Sequence, residues 1–173
     1  FPFSIRNLMR KLLLILMLFS WFKPNAQTNS RAYKVMLEGM YKHTVPTVSC
    51  KELKKEQSQV VLLDTRAKRE FEVSHLPEAR WVGYEEFDLK KVDNLPKNTP
   101  IVVYCTVGVR SERIGEKLKT AGFQNVRNLY GSIFEWVNQG NPVVDTQGKP
   151  TQKVHAYSRT WGIWLNKGEK VYE

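Results

Sequence analysis

Short, almost wholly apolar runs alternate with charged, amphipathic stretches through the middle of this 173-residue chain, and no other feature constrains its fold as much. "VVLLD" (60–64) is followed by "AKREFEV", and the weaker "RWV" (80–82) by "YEEFDLKKV". "IVVYC" (101–105) precedes Ile114 and Leu118, which share a helical face that Ala121 and Gly122 end. "VRNL" (126–129) leads through Gly131 into "SIFEWVNQG". Runs with no polar alternation are strands buried on both faces, and helices between them make the crossovers, so the pattern predicts a parallel βαβ sheet covered on both sides. Ligands of such sheets sit outside the carboxyl ends of the strands.

The flanks read differently. Arg6, Arg10 and Lys11 precede the apolar run Leu12–Phe19, and Ala26 supplies a small residue before a polar stretch. Residues 1–26 therefore read as a secretory signal peptide, with Met9 as an alternative start and a retained anchor as the alternative reading. The run is shorter than the roughly 20 residues of a spanning helix. The expectation is an exported protein, periplasmic or in the cell envelope if bacterial, with no stable membrane insertion after cleavage. Tyr33, Leu37, Met40 and Tyr41 fall at helical spacing, which predicts a helical extension over residues 27–46. Ser49 and Glu52 form a capping box for a helix through Gln57. Residues 146–173 read as a tail packed on the domain, with "DTQGKPTQK" a polar linker and the alternation of "TWGIWL" suited to burying Trp161, Ile163 and Leu165.

The formal charge is +10, and the 23 bases and 17 acids after residue 26 leave +6. A moderate positive field favours small anions. The bases are scattered among acids with no basic run interleaved with aromatics, so no nucleic-acid partner is expected. Three histidines and two cysteines, none closely paired, give no metal-site spacing, and no cofactor or metal is expected.

A strand ending in Cys105 with a helix beginning near Ser111 makes residues 105–110 a strand-to-helix turn at the ligand edge. Inward N–H groups and the helix start both favour an anion there. A thiol, ordinarily near pKa 8.5, falls to about 3.5–7.5 in such surroundings. Gly108 opens backbone conformations closed to other residues, and Arg110 ends the loop with a fixed cation. A thiolate so held is a nucleophile.

These residues resemble the rhodanese-like family over roughly residues 47–141. "LLDTR" is similar to its Asp-x-Arg segment, "FEVSHLPEARWV" to its E-(F/Y)-x-x-G-H-I-P-G-A stretch and "VVYCTVGVRS" to its active loop. "AGFQNVRNLYGSIFEWVNQG" is similar to its closing G-F-x-x-V-x-x-L-x-G-G-I-x-x-W. Ser74, Glu78 and Ser132 stand where that pattern has glycines. The resemblance implies a three-layer α/β/α sandwich with a central parallel sheet of about five strands, occupying residues 47–145. It further implies a thiosulfate:cyanide-type sulfurtransferase in which Cys105 takes sulfur from a thiosulfate- or persulfide-type donor, holds it as a persulfide and passes it to a thiol or cyanide. Thr106, Val107, Gly108, Val109 and Arg110 would form the cradle, with Asp64, Arg66 and Ser111 in support; a purely structural turn and ion pair is the other reading of Asp64 and Arg66. Relatives that hydrolyse phosphate esters have five residues between Cys and Arg, and this chain has four, which disfavours a phosphatase or arsenate reductase. The remaining alternative is a non-catalytic binding module with "TWGIWL" as its docking surface. His75 falls in the family's turn and reads as structural, and Cys50 as buried and unpaired.

Overall fold

The computed structural model describes residues 26–173, with side chains from residue 31. The segment read as a signal peptide lies outside the described residues except for Ala26, which opens helix α1 (Ala26–Met40). Among the described residues no helix is long and apolar enough to cross a membrane.

Five strands form the central sheet: β1 (Thr47–Val48), β2 (Val61–Asp64), β3 (Arg80–Trp81), β4 (Ile101–Tyr104) and β5 (Val126–Leu129). Their order is β1-β5-β4-β2-β3, and every pairing is parallel. β4 is central because all four of its side chains, Ile101 to Tyr104, are apolar or aromatic and fully buried. Alternation along the strands puts Leu63, Ile101, Val103 and Val126 on one face, where they pack with Ile114, Leu118 and Phe123. Leu62 and Val102 fall on the other.

Helices α2 (Cys50–Glu56), α3 (Lys68–Val73), α4 (Val109–Thr120) and α5 (Ser132–Asn138) complete the α/β/α layers. The predicted capping box opens α2: Ser49 Oγ accepts from the Glu52 amide, and Glu52 Oε2 accepts from the Ser49 amide at 2.9 Å. The chain leaves β2 toward β3 but leaves β4 toward β5. Their carboxyl ends therefore border the crevice where parallel sheets bind ligands.

Several sequence expectations need correction. α4 starts at Val109, two residues before Ser111, because Gly108 makes the turn by itself. "YEEFDLKKV" forms only a 3₁₀ turn, Leu89–Val92, since its one fully buried apolar position, Val92, is too little to hold a longer helix. "DTQGKPTQK" is not a free linker: β6 (Val143–Val144) pairs antiparallel with β7 (Pro150–Thr151) across it. β8 (Lys153–His155) and β9 (Glu169–Val171) add a parallel pair. "TWGIWL" is not extended. Ser158 caps the short helix α6 (Arg159–Gly162), which buries Leu165 and leaves Ile163 exposed.

Candidate active site

Cys105 follows β4 directly and is 1% exposed. Both cysteines are free, so no bridge blocks this thiol. Cys50 opens α2, is buried, and is pushed up to about 12 by burial and by the nearby Glu135 carboxylate.

The turn after Cys105 is built by sending its carbonyls outward. Cys105 O accepts from Ile133 N (3.2 Å) and Thr106 O from Phe134 N (3.3 Å). Val107 O accepts from the Tyr41 hydroxyl at 2.5 Å, and Gly108 O from both Glu112 N (3.1 Å) and Asn128 Nδ2 (2.9 Å). The amide side of the loop is thereby turned toward the thiol, and Gly108 N donates to Sγ at 3.1 Å. Gly108 adopts φ 113°, and a Cβ there would lie 1.9 Å from the Tyr41 hydroxyl oxygen, so only glycine fits.

Burial pushes the Cys105 thiol up, but the Arg110 guanidinium, Ser111 and the Gly108 amide outweigh it and bring the thiol below its ordinary value. The Ser111 hydroxyl has one proton and lies 2.7 Å from Asn128 Oδ1, an acceptor oriented by Asn128 Nδ2 bonding to the Gly108 carbonyl. That proton is committed to Asn128 in this arrangement, so the Ser111 amide is the part of the residue free to help the thiolate.

Arg110 lines the cleft, but its guanidinium is engaged. Nη1 and Nη2 each donate to Glu70 at 2.8 Å, and Nη2 also donates to Thr106 Oγ1 at 2.8 Å. Tyr157 covers the guanidinium with its ring centroid 5.1 Å from Cζ. Glu70 is 1% exposed; burial pushes its carboxyl up, and the Arg110 and Arg66 cations together with the Ala67 amide bring it down to about 2. Glu70 opens the E-(F/Y) family stretch, which was the one signal in the sequence that could have singled it out.

Asp64 and Arg66 lie at the end of β2 as a fully buried pair, Nη2 to Oδ2 at 2.6 Å. Arg66 Nη2 also donates to the Ser74 carbonyl at 2.6 Å, which ties the pair to the turn holding His75. His75 stacks on Phe71, centroids 3.8 Å apart, and its Nδ1 lies 3.0 Å from the Phe71 carbonyl. Of the three positions where the family pattern has glycine, Ser74 is simply extended at φ −170°, whereas Glu78 (64°) and Ser132 (52°) are left-handed. Ser132 Oγ accepts from the Cys105 amide at 3.1 Å.

A cleft of about 160 Å³ opens above the thiol. Cys105, Thr106, Val107, Val109 and Arg110 form its floor, and Met40, Tyr157 and Trp161 form its walls. Two wall residues thus come from the C-terminal tail and one from the end of α1. In the sequence Met40 and Trp161 stand out only as apolar positions of a helix and of the tail, and Tyr157 not at all, because each reaches the cleft only through tertiary packing.

The comparisons agree with this geometry. The family model for the rhodanese-like domain matches residues 49–139, more than half of the chain. A sulfurtransferase of Allochromatium vinosum is 29% identical over 93 residues, covering 54% of this chain and 86% of that protein. A tRNA uridine(34) hydroxylase of Cytophaga hutchinsonii is 32% identical over 101 residues, covering 55% of this chain but only 31% of that protein. A rhodanese-related protein from Thermoplasma volcanium, solved by crystallography, superposes with TM-score 0.52 at 25% identity, covering 57% of this chain and 97% of that one. With the matched segment running from the cap of α2 through α5 and enclosing the whole Cys105 turn, the chain belongs to the rhodanese-like domain family.

Proposed function

We propose that the protein is an exported sulfurtransferase in which Cys105 carries the transferred sulfur as a persulfide. The observation that carries this reading is the unbridged thiol at the floor of the cleft, brought below its ordinary pKa and held by the Gly108 amide. The thiolate attacks the outer sulfur of a thiosulfate- or persulfide-type donor. A bond forms from Sγ to that sulfur, the donor's S–S bond breaks, and the electron pair leaves with sulfite or a thiolate. The resulting persulfide anion lies against the amide side of the loop, where fixed donors stabilise it without rearrangement. A thiol or cyanide then attacks the outer sulfur, and Cys105 returns as thiolate. No electron leaves the system, so no redox cofactor is needed. Asp64 and Arg66 support the site from below by fixing the turn that follows α3, and Ser111 supports it through its amide.

Incubation of the purified protein with thiosulfate or an organic persulfide, followed by mass spectrometry, tests this. The expected result is a gain of one sulfur atom on the peptide containing Cys105, reversed by cyanide with release of thiocyanate, and no gain in Cys105→Ala. A cleft that binds such donors while Cys105 never acquires sulfur would make the protein a binding module instead.

A further inference from the structure

The walls of the Cys105 cleft are chemically one-sided. Met40, Val107, Val109, Tyr157 and Trp161 make it apolar, and Arg110 is the one cation among its lining residues. Both terminal nitrogens of Arg110 bond to Glu70, and the Tyr157 ring lies over the guanidinium. A dianion such as thiosulfate would shed its hydration beside a thiolate and meet a cation that is already neutralised, whereas an apolar group meets surface that prefers it to water. Beyond Val109, Arg110 and Tyr157 a second cavity of about 430 Å³ carries Arg69, Glu85, Glu86 and Arg113, so these three shared residues form the partition between an apolar and a charged compartment. Tyr157 is held in place by more than its ring. Its backbone is left-handed at φ 64°, and its N–H donates to Nδ1 of the fully buried His155 at 3.1 Å. A non-glycine residue kept in that conformation is over-determined by its surroundings.

We infer that the cleft selects donors carrying their transferable sulfur on an uncharged apolar group, R–S–SH, over thiosulfate, and that Tyr157 is the residue that sets this preference. The inference rests on the sulfur-transfer reading above. The thiolate attacks the outer sulfur of R–S–SH; the Sγ–S bond forms as the donor S–S bond breaks, and the pair departs on the inner sulfur. The proton of the outer sulfur passes to that departing thiolate. Cys105 is left as the persulfide anion with R–SH released, and atoms, charge and electrons balance. With thiosulfate the same step would release sulfite dianion into a cleft whose cation is already paired.

The experiment uses the full chain, a series of straight-chain alkyl persulfides from ethyl to hexyl generated in situ, and thiosulfate. Cyanide is the acceptor, and Cys105→Ala gives the uncatalysed background. In the unmodified protein kcat/KM is expected to rise by up to about fourfold per added methylene until the cleft is filled. The longest donors should exceed thiosulfate by about tenfold or more. Tyr157→Ala should lower kcat/KM for hexyl persulfide and so narrow its lead over thiosulfate, because it removes apolar wall while Arg110 stays paired with Glu70. A flat chain-length series, or thiosulfate used as well as hexyl persulfide, would overturn the inference while leaving sulfur transfer intact. No gain of sulfur on Cys105 from any donor would overturn the sulfur-transfer reading itself. The chain-length series is decisive whether or not the Tyr157 variant folds.

Discussion

Ser132 holds a left-handed backbone, which strains a residue with a side chain, yet its hydroxyl accepts the Cys105 amide and so fixes the start of the Cys105 loop. Ser132→Gly removes strain of about 1 kcal/mol and a hydrogen bond of similar size. Its denaturation midpoint is therefore expected to stay close to that of the parent, while sulfur loading of Cys105 slows by about three- to tenfold because the loop loses one anchor. Stopped-flow loading kinetics and urea unfolding separate the two effects. Tyr41 behaves differently, since its buried hydroxyl donates to Val107 and accepts from Gly131 N at 3.0 Å. Tyr41→Phe should destabilise the fold by about 1–3 kcal/mol in urea unfolding. The thiol itself was legible from the sequence because strand, cysteine, glycine and arginine are contiguous. Tyr41 and Tyr157 were not, because nothing within a few residues of either marks what it will touch across the fold, and the E-(F/Y) stretch marks Glu70 without revealing its partner Arg110.

At the scale of elements, α3 and α4 are joined at the cleft by Glu70 and Arg110. Glu70 ionises at about 2 in the folded protein, below the ordinary glutamate range. A depressed carboxyl contributes stability that is fully present above its unfolded value and is lost as pH falls through the folded value. The contribution amounts to about 3 kcal/mol and disappears between roughly pH 4.5 and 2. Glu70→Gln should therefore lower stability at pH 7 and flatten the acid limb of a stability–pH curve measured by chemical denaturation; an unchanged limb would count against the buried pair. The alternation of apolar runs and amphipathic segments gave β2, β4, β5 and the helices between them, because a strand buried on both faces has no polar positions to disguise it. β3 was weaker in sequence, and "YEEFDLKKV" misled because charged residues at helical spacing do not by themselves make a helix.

For the molecule as a whole, the last thirty residues complete the cleft. Val154, Ala156 and Leu165 are buried, and Tyr157 and Trp161 wall the thiol's surroundings. The alternation of "TWGIWL" pointed to burial of Trp161, Ile163 and Leu165, and Tyr157 carried no such signal, since which apolar residue faces a pocket depends on how the tail lies on the domain. His155 links this tail to pH. It is fully buried, its Nδ1 accepts from Tyr157, and Nε2 has no hydrogen-bond partner among the described residues. Burial first, then the Arg66, Arg69 and Arg110 cations, hold its pKa below the ordinary value against the pull of Glu70. The unfolded chain binds the proton more readily, so stability should decline as pH falls below about 6.5, and His155→Gln should weaken that decline in thermal melts between pH 7.5 and 5.5.

The outward carbonyls of the Cys105 loop have one more consequence. They are fastened to α5, to Tyr41, to the first turn of α4 and to Asn128 of β5, so four separate parts of the fold dictate the loop's outline. Loop outline is thus expected to be indifferent to what the thiol carries, and the amide-exchange rates of residues 105–110 should change little when the proposed persulfide is formed.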